Sequence, residues 1–288
     1  MKYLLILILL GLCIESQCQD DLFDLIDEGG KQNEFTRSTF RSTRLVNMHT
    51  VETHRKGELQ FIIQHRFGRI NTGIYELFGL DEANIRFGLE YGVTDNLDLG
   101  FGRSSFDKTY DGFAKYRVLR QKKTGQPLSL TLFGSIAINT LRVDESAFEY
   151  TFARRTTYAT QILIARRFND RISVEVTPTW VHKNLIESSQ DDNDQFAVGF
   201  GARIGITNSL DITGEYHYRL NPAQSNITYN SIGFGIDLET GGHVFQIVLS
   251  NSRPMIEKGF ITETTGDFWK GDIHLGFNIV RRFQLTRS

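Results

Sequence analysis

The chain has 288 residues, with 32 basic against 34 acidic side chains and 40% hydrophobic residues. That balance excludes a strongly basic nucleic-acid binder, and nucleic acid is not an expected partner. Both cysteines, Cys13 and Cys18, fall in the first eighteen residues, so the rest of the chain has neither a disulfide framework nor thiol chemistry.

In chain order, Met1-Lys2, the apolar run YLLILILLGLCI (3–14) and the polar close Glu15-Ser16-Gln17-Cys18 read as a secretory signal peptide cleaved before Gln19. A membrane-spanning helix needs about 20 apolar residues. This run is shorter and no later stretch is that long, which excludes a helical membrane protein but not a barrel. Acylation at Cys13 or Cys18 is disfavoured because Leu12 and Gln17 stand where a small residue is needed. Residues 19–56 are expected to form a periplasmic or lumenal N-terminal segment. Within it, DLFDLIDE (21–28) can form a short amphipathic helix, and TRLVNMHTVET (43–53) resembles a strand that would strand the N-terminus outside if counted.

Beyond residue 56, period two dominates. In ELQFIIQHRF, Leu59, Phe61, Ile63 and Phe67 oppose Glu58, Gln60, Gln64 and Arg66. A helix does not keep this register. Strands are predicted at 57–68, 83–93, 95–104, 108–120, 127–139, 156–168, 171–182, 195–206, 208–220, 229–238, 243–251 and 271–285. Gly73 to Asp81 is a short helical candidate in the first long connection. Short polar turns (Thr94-Asp95, Asn169-Asp170, Thr207-Asn208, 239–242) alternate with long connections (69–82, 140–155, 183–194, 221–228, 252–270), the asymmetry of bacterial outer-membrane barrels. The fold class is therefore all-β: a transmembrane antiparallel β-barrel of about twelve strands in an up-and-down meander over 57–288, with both strand termini on the periplasmic side.

GFG recurs at 100–102, 199–201 and 233–235, and Gly276-Phe277 is a shorter form. With the apolar face toward lipid, the phenylalanines point out and ten glycines (88, 92, 100, 102, 199, 201, 205, 233, 235 and 276) point in, where a missing Cβ relieves curvature and crowding. No helix carrying lysine and serine or threonine follows, which argues against a nucleotide loop. A soluble barrel would have to place these glycines outside.

Arg86, Glu90, Lys115, Arg117, Glu175, Arg203, Glu215, His217, Arg219 and Arg282 share the inward parity. They can form a selective channel lining or an ion-pair network that stiffens a narrow barrel. Mixed signs at similar depth favour the network. The seven histidines show no close metal-ligand spacing, so neither a metal nor a cofactor is expected. His217 beside Glu215 can be half of a proton-transfer pair or, more simply, a lumen hydrogen bond. No serine has the context of a hydrolase nucleophile, so an enzyme is not expected. His65 falls on the lipid face near a strand end, the position of an interfacial belt.

Through ELQFIIQHRFG (58–68), YELFGLDEANIRFGLEYGVTDNLDLGFGRS (75–104), KTYDGFAKYRVLRQ (108–121) and GFNIVRRFQL (276–285), the chain resembles a family of outer-membrane β-barrel proteins of Gram-negative bacteria known as a domain of unknown function. The resemblance implies export, outer-membrane localisation and insertion by the barrel assembly machinery, and it brings no activity. Many such proteins end on an aromatic residue, whereas Phe283 here is followed by Gln-Leu-Thr-Arg-Ser. By analogy of fold, passage of a small solute is the expected function. The alternatives are a closed docking barrel, with a periplasmic partner meeting residues 19–53 or with the long outside loops 140–155 and 252–270 as contact surfaces, and a lipid-acting enzyme.

Overall fold

The computed structural model describes residues 34–142, 150–186 and 188–285. The signal peptide and the stretch 21–28 lie outside these residues. Twelve strands, each paired with its sequence neighbour and the last with the first, form one closed antiparallel barrel. They are β1 (Glu58–Arg69), β2 (Ala83–Thr94), β3 (Leu97–Ser104), β4 (Tyr110–Leu119), β5 (Ser129–Ile138) and β6 (Thr156–Arg167). The second half comprises β7 (Ile172–Lys183), β8 (Asp194–Gly205), β9 (Leu210–Arg219), β10 (Ile232–Thr240), β11 (His243–Ser250) and β12 (His274–Gln284). Every strand lies where the period-two pattern predicts it.

Register follows parity. Outward residues such as Phe87, Phe101, Phe200 and Phe234 are exposed, while the residues between them are buried. An apolar outside with a polar inside is the arrangement a lipid-embedded barrel requires. His65 lies on the outer face, stacked on Phe277 at 4.9 Å. The two-residue turn Gly241-Gly242 between β10 and β11 has φ of 51° and 91°. Two consecutive positive φ values suit a hairpin whose twist matches its strands, and glycine adopts them without strain.

The lumen is filled from both ends. From the short-turn end, residues 34–56 enter beside the β4–β5 connection, where the Thr36 amide donates to the Gln121 carbonyl at 3.0 Å. The chain then reverses as a small hairpin: Leu45 N–H donates to Met48 O (3.0 Å) and Thr50 N–H to Thr43 O (2.9 Å). It leaves beside the β2–β3 turn, the Thr53 hydroxyl donating to Asp95 O. Residues 43–53 thus form an inserted hairpin whose one bridge is Arg44 to His49, and the ladder of strands excludes them.

From the long-loop end, the β11–β12 connection folds inward as a short helix, α1 (Glu257–Thr262), with Met255, Phe260 and Ile261 at most 1% exposed. Sequence reading places 252–270 wholly outside as a contact surface; its middle instead packs in the lumen. The helix has no side-chain N-cap and is held by burial of Phe260 and Ile261. The other helical candidate, 73–81, is a 3-10 run over Ile74–Gly79 broken at Leu77 and Phe78, which have positive φ. Ile74 and Tyr75 remain exposed, so the segment has no face to pack against a core.

Candidate functional site in the barrel lumen

Halfway along the barrel, wall and hairpin exchange hydrogen bonds. Glu215 on β9 accepts from three consecutive hairpin amides, Val46 (3.1 Å), Asn47 (2.9 Å) and Met48 (2.9 Å). Glu175 on β7 accepts from the Val51 amide at 2.9 Å. Glu90 on β2 accepts from the Thr43 hydroxyl (2.8 Å) and Gln60 (3.0 Å), with Arg44 Nε 3.6 Å away. Arg66 on β1 donates to Val46 O (3.0 Å), to the Asn47 side chain (2.8 Å) and to Asn278 (2.9 Å). Lower down, Asp98 holds the His54 amide and ring. Arg86 is the exception: it pairs with Asp111 and Gln64 of the wall itself.

The hairpin and α1 meet at Glu257, whose Oε1 lies 3.6 Å from Arg44 Nη1 and 3.5 Å from His49 Nε2. His49 is sandwiched against Phe113 and Phe133, two aromatics that point inward against the trend of their face. His217 packs on Phe260 at 4.8 Å, and among the described residues neither of its ring nitrogens has a hydrogen-bond partner. The Lys115 ammonium also has none. Glu215 directs its oxygens to the hairpin, so Glu215 and His217 do not form the pair their spacing allows.

Of the sequence-predicted residues, Arg86, Glu90, Lys115, Glu175, Glu215 and His217 lie in this buried belt. Arg203, Arg117 and Arg282 sit toward the short-turn mouth. Arg203 pairs with Asp211 (2.6 Å), Arg117 donates to Asp95 O (2.6 Å) and Arg282 donates to Arg41 O (2.7 Å). Sequence reading missed Arg44, His49, His54, Arg66 and Glu257. Arg66 alone carried a signal, since it shares the inward parity of Gln60 and Gln64.

The inward glycines are the footprints of this filling. A Cβ at Gly100 would lie 2.1 Å from the Phe113 ring, at Gly102 2.3 Å from Arg86, and at Gly276 2.7 Å from Arg66. At Gly201 it would meet Leu45 at 2.5 Å, and at Gly233 Val46 at 3.0 Å. GFG therefore pairs a lipid-facing phenylalanine with two spaces for lumen contents. Gly201→Phe is expected to wedge out the hairpin tip at a cost of about 1–3 kcal/mol while the barrel still closes. Faster tryptic cleavage after Arg44 in the folded variant is the readout; unchanged protection would refute the footprint.

Two cavities of about 380 and 500 Å³ flank the entering chain at the short-turn mouth. Another of about 640 Å³ opens at the long-loop mouth above α1. There, burial alone would push the Glu263 carboxyl up, but Lys183 (3.0 Å) and Lys258 (3.5 Å) hold it below the usual carboxylate range. Among the described residues, no group of three His, Cys, Asp or Glu side chains is placed to hold a metal.

The profile of the family described as "Membrane bound beta barrel domain (DUF5777)" matches residues 40–283. No curated protein sequence matches. Among solved structures, the NanC porin aligns over 79% of this chain and 100% of its own at 9% identity and a TM-score of 0.48. The KdgM porin in complex with disordered oligogalacturonate aligns over 80% and 99% at 8% identity and 0.48. An outer membrane channel from Pseudomonas putida F1 aligns over 81% and 98% at 14% identity and 0.47.

Proposed function

Because the chain belongs to the family of membrane bound beta barrel domains (DUF5777), we propose that it serves in the outer membrane of a Gram-negative cell as a channel for a small solute, held shut by its own N-terminal hairpin. In this reading the signal peptide directs export, the assembly machinery inserts the barrel among outer-membrane lipids, and the short turns face the periplasm. The observation that carries it is Glu215, a wall carboxylate whose hydrogen bonds go to the main chain of the N-terminal hairpin, a segment outside the strand ladder. A permanently sealed barrel gains more stability from apolar packing than from buried charges. A wall that carries Glu175, Glu215, Arg66 and Lys115 suits a lumen that fills with water once the hairpin leaves.

A closed docking barrel is the second reading. It is favoured by α1, which fills the long-loop half independently of the hairpin. Single-channel recording of the refolded mature chain separates the two, beside a variant in which residues 36–52 are replaced by a short Gly-Ser linker. The expected result is rare, brief openings for the full chain and steady current for the variant. Silence from both, with the barrel folded by circular dichroism, would establish the docking reading.

A further inference from the structure

At the short-turn mouth, six arginines line one cavity of about 500 Å³: Arg37, Arg41, Arg120, Arg167, Arg203 and Arg282. Two carboxylates line it, Asp170 and Glu239, and two more beside it pair with its arginines, Asp211 with Arg41 and Arg203 and Glu58 with Arg282 at 3.7 Å, which leaves six guanidiniums against four carboxylates. Arg37 is exposed and makes no hydrogen bond or ion pair with a described residue. Arg120 has no carboxylate partner among the described residues; its guanidinium lies over the Phe35 ring at 4.8 Å. Positive charge is therefore in surplus in a concave, water-accessible place, where it attracts anions most strongly.

Four of these arginines spend donors on neutral acceptors along a single short stretch of chain that bends from residue 39 onward. Arg120 donates to Thr36 O (3.4 Å), Arg167 to Ser38 O (2.6 Å), Arg203 to Thr39 O (3.2 Å) and Arg282 to Arg41 O (2.7 Å). Carboxylates accept such bonds about twice as strongly as neutral carbonyls. The guanidiniums are thus arrayed along six residues of backbone, each on an acceptor that an anion would displace.

We propose that this mouth docks an acidic peptide segment of a periplasmic partner, whose carboxylates take donors from the carbonyls of residues 36–41. The layout favours a peptide over a single phosphate, because the acceptors are four separate carbonyls, at residues 36, 38, 39 and 41, held by arginines of three different strands and a connection. It also disfavours a lipid headgroup. Arg167, Arg203 and Arg282 share the lumen-facing parity, turned away from the lipid face. The consequence for gating rests on the channel reading: a docked peptide that draws the arginines off residues 36–41 loosens the root of the hairpin.

The test uses the full mature chain refolded in detergent and fluorescein-labelled hexaglutamate as probe, followed by anisotropy, with hexaglutamine and inorganic phosphate at matched ionic strength. Saturable binding of hexaglutamate alone is expected. In Arg37→Gln/Arg120→Gln, which leaves the arginines paired to carboxylates untouched, it should weaken about tenfold through loss of charge-assisted contacts. No saturable binding, equal binding to the double variant, or equal affinity for phosphate would each overturn the proposal. So would binding that emerges only after Asp20, Asp21, Asp24, Asp27 and Glu28 are changed to Asn or Gln, an outcome that assigns the mouth to the chain's own N-terminus. Failure of the channel reading looks different: hexaglutamate binds, but even the hairpin-less barrel carries no current.

Discussion

Glu215→Ala is expected to release the hairpin while leaving the barrel closed. The substitution removes the acceptor of three buried amides, at Val46, Asn47 and Met48. Each unsatisfied buried donor costs about 1–3 kcal/mol, and because the three relax together a total of about 3–5 kcal/mol is expected. Amide exchange across 43–53 should then accelerate by about a hundredfold to several thousandfold, at 1.4 kcal/mol per factor of ten. Glu215→Gln keeps one neutral acceptor and should lose about 1–2 kcal/mol. Hydrogen-exchange mass spectrometry on the refolded protein reads both, with β1 to β12 as internal reference. Full protection of 43–53 in the alanine variant would mean that Glu215 does not hold the hairpin.

The second large effect lies on the opposite face. Phe101 and Phe200 are outward and 56% and 46% exposed in the isolated molecule. In a membrane that exposure is to hydrocarbon, and arginine near the midplane costs about 2–4 kcal/mol. Phe101→Arg and Phe200→Arg should each lower the urea midpoint of folding into lipid vesicles. Gln195→Arg should not, because Gln195 points inward and borders the cavity at the long-loop mouth. Equal tolerance at all three positions would place the outer face in water.

The wall was legible in the sequence because lipid imposes one rule on every strand. An outward position must be apolar, so Phe87, Leu89, Phe101 and Phe234 spell out register and face without reference to neighbours. The contents of the lumen obey no such rule. The hairpin at 43–53 is a polar chain inside a polar wall, and its alternation imitates a strand. Leu45, Val46 and Met48 are buried against Gly201 and Gly233, but nothing in TRLVNMHTVET names those partners. Helix α1 was invisible for a similar reason, since it is short, uncapped and stabilised only by distant residues. The glycines held part of the information. At Gly92, Gly201 and Gly233 the space is taken by Arg55, Leu45 and Val46 of the inserted chain, whereas the other seven face side chains or backbone of the wall itself, which curvature and crowding explain without any insert.

The hairpin also bears on how such a barrel is built. The tip precedes β1 in the chain, yet its acceptors and donors come from strands made much later; Asn278 on β12 reaches the Val46 carbonyl across 232 positions. Arg66 on β1 donates to that same carbonyl, and also to Asn278 directly. The first and last strands are therefore stapled through one peptide group as well as through their own ladder. Contacts this distant form late in folding. Seating the tip thus reinforces the β1–β12 seam, and an empty barrel closes on its ladder alone, without that clasp between its first and last strands.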